Sequence, residues 1–256
     1  MSEQRYQHKK QFGQHFLHDP SYLQRIVAAI RPETDDLMVE IGPGQGALTR
    51  PLLEKLDHLH VVEIDRDLIA WLRQHFPAER LTVHEADALR FDFGSLGDRL
   101  RVAGNLPYNI SSPLLFHLAD FAERIVDMHF MLQKEVVDRM AAAPDTPDYG
   151  RLSVMLQARF KVMKLFNVPP GAFNPPPKVD SAVVRLVPLP TGAIAYRNAD
   201  RFARIVTAAF GQRRKTLRNT LKHLVEPAVF ETAGIDPQRR GETLSVAEFA
   251  LLSDSG

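Results

Sequence analysis

Apolar residues follow two rhythms along this chain. Leu23, Ile26, Val27 and Ile30 in "SYLQRIVAAI" recur at helical spacing and predict an amphipathic helix over 21–30. Asp19 stands where its N-cap belongs, with Pro20 at the first helical position. Short apolar runs then alternate with helical patterns. Leu37 to Ile41 predicts a strand, Gly42 to Gly46 a glycine-rich turn, and Leu48, Leu52, Leu53 and Leu56 one face of a helix. "HLHVVEIDRDLIAWLRQHF" repeats the scheme, with a strand through Ile64 and a helix capped by Asp65. "LTVHEADALRFDF" predicts a strand ending at Ala86 and Asp87. "RLRVAGNLPYNISSPLLFHLAD" predicts a fourth strand, a turn from Asn105 to Tyr108, and a helix with Ser111 or Ser112 as cap and Pro113 early in it. Four such alternations in about 85 residues predict an α/β fold, a parallel sheet with helices on its faces.

"RIVDMHFMLQ" reads as a fifth strand and "YGRLSVMLQARF" as another helix. "KVMKLFNVPPGAFNPPPKVDSAVVRLVPL" reads as two strands joined by a loop that five prolines between Pro169 and Pro177 stiffen. After "PLPTG" the pattern is helical. A boundary is expected near 187–198, giving an α/β domain over 1–190 and a small all-helical domain over 191–256. Residues 1–20 form a basic leading segment of the first.

The 256 residues suffice for such an arrangement, and their 45% hydrophobic content supplies a core. No apolar run approaches the ~18 residues of a membrane span, so none is expected. "MSEQRYQHKKQFGQHF" has basic residues without an apolar stretch behind them, unlike a secretory signal. The chain has no cysteine, which excludes disulfides, thiolate metal sites and cysteine nucleophiles and is compatible with a reducing cytoplasm. The histidines lack ligand spacing, and no metal is expected.

Net charge is only +1, but its distribution is uneven. Arg201 to Lys222 holds seven Lys or Arg and no acid. "GQRRKTLRNTLKHL" at helical spacing puts Arg214, Arg218 and Lys222 on one face and Leu217, Leu221 and Leu224 on another. With Arg213 and Lys215 this is a candidate phosphate-binding surface; the alternative is a solvated helix face.

Candidate chemistry gathers at the predicted strand ends. Gly42, Gly44 and Gly46 in "VEIGPGQGALT" let the backbone turn tightly beside a ligand. Glu63 closes the next strand, 17 residues past Gly46, where an acid accepts ribose hydroxyls in nucleotide-binding sheets. Asp87 closes the third and can accept from an adenine amine; a turn cap is its alternative role. The turn lacks Gly-x-Gly-x-x-Gly, and no Gly-Lys-Ser/Thr follows it. A nucleoside without phosphates, S-adenosyl-L-methionine, therefore suits these ends better than NAD or ATP. "NLPY" ends the fourth strand. The Asn105 amide oxygen and a carbonyl at Leu106–Pro107 suit the two N–H groups of an adenine amine, and Tyr108 offers a face for the base. Such a transfer runs on positioning and electrostatics.

Here the chain resembles the ribosomal RNA adenine N6-dimethyltransferases, in particular bacterial members that dimethylate two adjacent adenosines of small-subunit (16S) ribosomal RNA. "KKQFGQHFLHDP", "VEIGPGQGALT", "VVEIDRDL", "EADAL", "GNLPYNISSPLLFHL", "MLQKEVVDRMAA", "YGRLSVMLQ", "PPGAFNPPPKVDSAVVRL" and "FGQRRKTLRNTL" carry the resemblance in order along nearly the whole chain. It implies a Rossmann-like S-adenosylmethionine-dependent methyltransferase sheet with a small basic helical domain that docks on RNA. It implies that His15 and Leu17 contact the cofactor, where many members have Asn at the position of His15. Gly42 would approach the methionine part, Glu63 the ribose and Asp87 the cofactor's adenine. Asn105 and the Leu106 carbonyl would take the reactive amine, and Tyr108 and Phe173 would sandwich the base. From the residues alone, Phe173 is a packing residue between prolines. The implied partner is small-subunit ribosomal RNA in a 30S or pre-30S particle, the implied role subunit maturation, and the expected state a cytoplasmic monomer. DNA adenine and protein glutamine methyltransferases usually carry Asn/Asp-Pro-Pro-Tyr, and Leu106 argues against both. A non-catalytic ribosome assembly factor is the reading from another class; intact Glu63, Asp87 and Asn105 disfavour it.

Overall fold

The computed structural model describes residues 15–107, 110–194 and 196–254. Its first elements are β1 (Phe16–Leu17), α1 (Pro20–Ile30), β2 (Met38–Ile41), α2 (Thr49–Leu53), β3 (Leu59–Glu63), α3 (Arg66–His75), β4 (Leu81–Glu85), β5 (Leu100–Asn105), α4 (Ser111–Ala119) and β6 (Ile125–Gln133). Then come α5 (Lys134–Ala141), α6 (Arg151–Gln157), β7 (Phe160–Val168), β8 (Phe173–Asn174), β9 (Ser181–Pro188), α7 (Ala199–Gly211), α8 (Leu217–Thr220), α9 (Pro227–Ala233) and α10 (Val246–Asp254).

Seven strands form one sheet in the order β4-β3-β2-β5-β6-β9-β7. The pairs β2–β3, β3–β4, β2–β5 and β5–β6 are parallel. All four residues of β2 are buried, as expected of a strand covered on both faces. The chain lays β3 and β4 on one side of β2 and β5 and β6 on the other. The order therefore reverses at β2, and ligands of open α/β sheets bind beyond the carboxyl ends at such a reversal. Register brings Glu63 opposite Glu85, Ile41 opposite Val62 and Asn105 opposite Met131.

The predicted strands and the Asp19 and Asp65 caps are present, each cap accepting a backbone N–H two residues on. Four local features differ. Neither serine caps α4: Ile110 holds the cap position without a side-chain bond, and Ser111 is buried inside the helix. α5 follows β6 directly where no element was expected. The proline loop contains β8, which pairs antiparallel with β1 through Phe16↔Asn174 and Leu17↔Phe173. The continuous basic helix is absent: α7 stops at Gly211 and α8 has four residues. The Leu217 and Arg218 N–H groups instead reach the carbonyls of Arg239 and Pro237, at 2.8 and 2.9 Å, which replaces the bonds a continuous helix would make.

The chain divides into two compact units, Met1–Lys134 with Lys164–Arg185, and Glu135–Met163 with Leu186–Gly256. Residues 135–163 thus join the C-terminal stretch instead of a first domain running to 190. The cause is packing: Tyr149, Val154 and Ala158 share a core with Phe202, Ile205, Leu217 and Phe249. The Tyr149 hydroxyl donates to the Leu244 carbonyl at 2.8 Å within it. Among the described residues no helix is long and apolar enough to cross a membrane.

Candidate active site

The carboxyl ends of β2 and β5 open on a cavity lined by residues that include Phe16, Leu17, Glu40, Gly42, Gly104 and Asn105. The turn after β2 carries Gly42, Gly44 and Gly46 at φ of 66°, 57° and 75°. These left-handed conformations strain any residue with a Cβ. At Gly44 a Cβ would also lie 2.6 Å from the Phe16 ring, so β1 packs directly on the turn.

Glu63 ends β3 with its side chain 7% exposed. Its Oε1 accepts the N–H groups of Ile64 at 2.8 Å and Asp65 at 2.9 Å. Burial nonetheless pushes its carboxyl above the ordinary value, and the backbone N–H groups of Asp65, Ile64 and Gly44 restrain the shift. The Ala86 N–H donates to the Glu63 carbonyl at 3.0 Å, which draws the end of β4 against the end of β3. Asp87 follows, and its Oδ1 caps the local turn by accepting the Leu89 N–H at 3.0 Å. Glu63 and Asp87 stand beside the cavity, at neighbouring strand ends, and do not line it.

Asn105 ends β5 and lines the cavity. Its Nδ2 donates to the His15 carbonyl at 2.9 Å, although 90 residues separate them. Leu106 is buried, and its N–H donates to the Met131 carbonyl at 3.1 Å, which fixes the peptide entering Pro107. Tyr108 lies outside the described residues, as do residues 1–14 of the basic leading segment. Leu17 is buried and lines the cavity. Phe173 is 3% exposed, with its ring in the core beside Leu17. In this conformation it packs, as the residues alone imply, and presents no face to a base.

Glu40 is a site residue that strand-end patterning does not reveal. It lies in the middle of the buried strand β2, 2% exposed, on the cavity wall. The Thr49 hydroxyl donates to its Oε2 at 2.6 Å. Burial is the main cause that pushes its carboxyl up to about 7; the Thr49 bond opposes the shift and the Glu63 charge adds to it. His129, also on the wall, is 2% exposed, and burial holds its imidazole down at about 4. An acid inside "MVEI" was the available signal, because a charge in an otherwise apolar strand has to be partnered or used.

Comparison with known proteins decides the family. The family model described as ribosomal RNA adenine dimethylase matches residues 5–255. The chain belongs to that family.

This dimethylase is 62% identical over 245 residues to the ribosomal RNA small subunit methyltransferase A of Thiobacillus denitrificans, covering 96% of each chain. It is 60% identical over 254 residues to the enzyme of that name from Aromatoleum aromaticum, covering 99% of this chain and 95% of the other. Among solved structures, the dimethyladenosine transferase of Plasmodium falciparum superposes with a TM-score of 0.80 at 29% identity, covering 93% of this chain and 96% of that one. The 23S rRNA methyltransferase ErmE superposes at 0.71 with 25% identity, covering 94% and 98%. The dimethylase is thus a Rossmann-like methyltransferase of ribosomal RNA adenines, and its glycine turn, Glu63, Asp87 and Asn105 sit at four adjacent strand ends.

On the C-terminal stretch, Arg214, Lys215, Arg218 and Lys222 are exposed. Arg213 is engaged internally: its Nε donates to Glu242 Oε2 at 2.7 Å and its Nη2 to the Pro147 carbonyl at 2.6 Å. That bonding gives Arg213 a fixed place in the unit's own structure.

Proposed function

We propose that this dimethylase uses S-adenosyl-L-methionine to dimethylate N6 of two adjacent adenosines in a 3′-terminal hairpin of 16S ribosomal RNA. The particle it works on is a 30S subunit or its precursor. The relatives named small subunit methyltransferase A, nearly equal in length to this chain, support the choice of subunit. One structural observation carries the chemistry: an Asn105 amide whose nitrogen is already engaged stands at the cavity that the glycine turn and Glu40 also line.

The residues suit that cofactor. Two buried carboxyls with raised proton affinity, Glu40 and Glu63, favour a ligand that brings positive charge. Glycines at left-handed φ bring backbone close to its methionine part, with Leu17 and His15 alongside. Glu63 takes the ribose and Asp87 the adenine. When bound, the cofactor supplies a methyl group on a positively charged sulfur. Asn105 Oδ1 accepts one N–H of the target amine and the Leu106 carbonyl the other. That draws the nitrogen lone pair out of the ring and aims it at the methyl carbon. The proton leaves after the nitrogen has become cationic, so no strong base is required. Tyr108 stacks on the base; Phe173 supports the loop from within the core.

The unit of Met1–Lys134 with Lys164–Arg185 carries the catalysis and the other unit the RNA contact, through Arg214, Lys215, Arg218 and Lys222; Arg213 braces that surface. The enzyme acts as a cytoplasmic monomer, where ribosomal particles are assembled. Purified protein, methyl-labelled cofactor and undermethylated small subunits, followed by nucleoside analysis, test the proposal. Label recovered as N6,N6-dimethyladenosine supports it. Binding of cofactor and particle without transfer would favour an assembly factor instead.

A further inference from the structure

We infer that His15 is a positioning residue that sets which end of the Asn105 amide faces the target amine. The inference deepens the proposed function and rests on the role given there to Asn105. The two ends of an asparagine side chain are alike in size and opposite in hydrogen bonding. Only the oxygen end can accept an amine N–H, so a flipped Asn105 would present the wrong partner in an unchanged shape.

Asn105 Nδ2 lies 2.9 Å from the His15 carbonyl. A carbonyl only accepts, so it takes the nitrogen end and turns Oδ1 the other way. The orientation is as secure as the carbonyl is. β1 and β8 hold the chain next to it, but they pair only two residues each, and the pairing stops at Phe16↔Asn174. Downstream, the His18 N–H reaches the Ala172 carbonyl at 3.0 Å. His15 itself stands one residue outside the ladder. Its imidazole supplies the tie there: Nδ1 lies 2.8 Å from the Pro175 carbonyl. Because that carbonyl accepts, Nδ1 carries the hydrogen. The imidazole thus extends the clasp to the one residue whose carbonyl orients Asn105. Phe16, next in the chain, presses on the left-handed Gly44 and keeps the clasp against the glycine turn.

The test compares His15→Phe, which keeps a ring and removes the donor, with His15→Asn. Asparagine Nδ2 is bonded to Cγ as histidine Nδ1 is, so His15→Asn returns a donor to the same place. Turnover, KM for cofactor and RNA, and cofactor affinity by calorimetry are measured on undermethylated small subunits, with Asn105→Ala alongside. The expected result is a fall in kcat of about tenfold or more for His15→Phe and a kcat within about threefold of wild type for His15→Asn. Wild-type kcat in His15→Phe with a raised cofactor KM would overturn the inference, leaving His15 as a cofactor contact alone. Failure of His15→Asn to restore turnover would overturn it as well. Full turnover in Asn105→Ala would instead remove the underlying reading of Asn105. If His15→Phe does not fold, hydrogen exchange of the Asn105 side-chain amide in the wild type decides. That NMR signal is assigned by its absence from Asn105→Ala; slowed exchange is expected, and exchange at the rate of an exposed amide would overturn the inference.

Discussion

Glu40 lowers the stability of the fold it belongs to. Its folded carboxyl titrates at about 7, well above the ordinary value of 4.5. Between those values the unfolded chain sheds this proton and the folded chain keeps it, so stability falls as pH rises through that window and stays reduced above 7. Glu40→Gln keeps an acceptor for the Thr49 hydroxyl and cannot ionise. It should raise stability at pH 8 by on the order of 2 kcal/mol, with little gain at pH 4.5. Denaturant unfolding at both pH values measures this, and equal gains at the two would show that Glu40 is not the group responsible. The same variant should bind the cofactor more weakly, because a cation then meets a neutral amide. Asn105→Ala should act differently, cutting methyl transfer by about 100-fold or more, as loss of one transition-state partner does, while calorimetry shows cofactor affinity within about threefold. At this scale the sequence was legible where chemistry follows directly on a strand. Glu63, Asp87 and Asn105 could be read by position. Glu40 could not be read by position at a strand end; its signal was the lone charge inside the apolar run "MVEI". Nor could the tie from His15 to Asn105, which crosses 90 residues.

The parallel strands depend on one small residue beside the site. A Cβ at Gly104 would lie 2.5 Å from the Ile41 carbonyl, a backbone atom in β2 that the sheet cannot move cheaply. Gly104→Ala should therefore separate the ends of β2 and β5, destabilise the protein by about 1–3 kcal/mol, and shift Asn105, the next residue. Thermal unfolding and turnover together check it; a stable variant with wild-type turnover would mean that the sheet absorbs the methyl group. Strands β2, β3 and β5 were legible because each is an apolar run with a turn at its end. The pairing of β1 with β8 was not. Two-residue strands have no period, and five prolines in nine positions read as loop whatever they touch. The basic helix failed for a related reason. Its leucines do face inward, Leu217 and Leu221 fully, but carbonyls of Arg239 and Pro237, distant in the chain, take the N–H groups that local periodicity assigns to one long helix.

At the scale of the molecule, Arg201 to Lys222 is a run of seven Lys or Arg without an acid, the charge that suits a polyanion. Reversing Arg214 and Arg218 to Glu should weaken binding to small-subunit RNA and reduce the slope of log K against log salt by about 1 for each phosphate that the protein no longer neutralises. Calorimetry or filter binding across a salt series reads that slope, and an unchanged slope would make these residues part of a solvated face. Arg213→Ala should differ from both by lowering the melting temperature, because it removes the Glu242 pair and the bond to Pro147. The two-part plan could be inferred from the switch to purely helical patterning. The assignment of residues 135–163 could not, because it depends on Tyr149 and Val154 packing with residues some fifty and more positions later.

His15 and Pro175 are 160 residues apart, and their bond has a consequence for the order of events during synthesis. At ~5–20 residues per second, the segment that orients Asn105 emerges from the ribosome roughly 8 to 30 seconds before the loop that holds it. Strands β2 to β6 are made in the interval and can pair as they appear. Most strands of the sheet are therefore synthesised before the carbonyl that ties His15 exists.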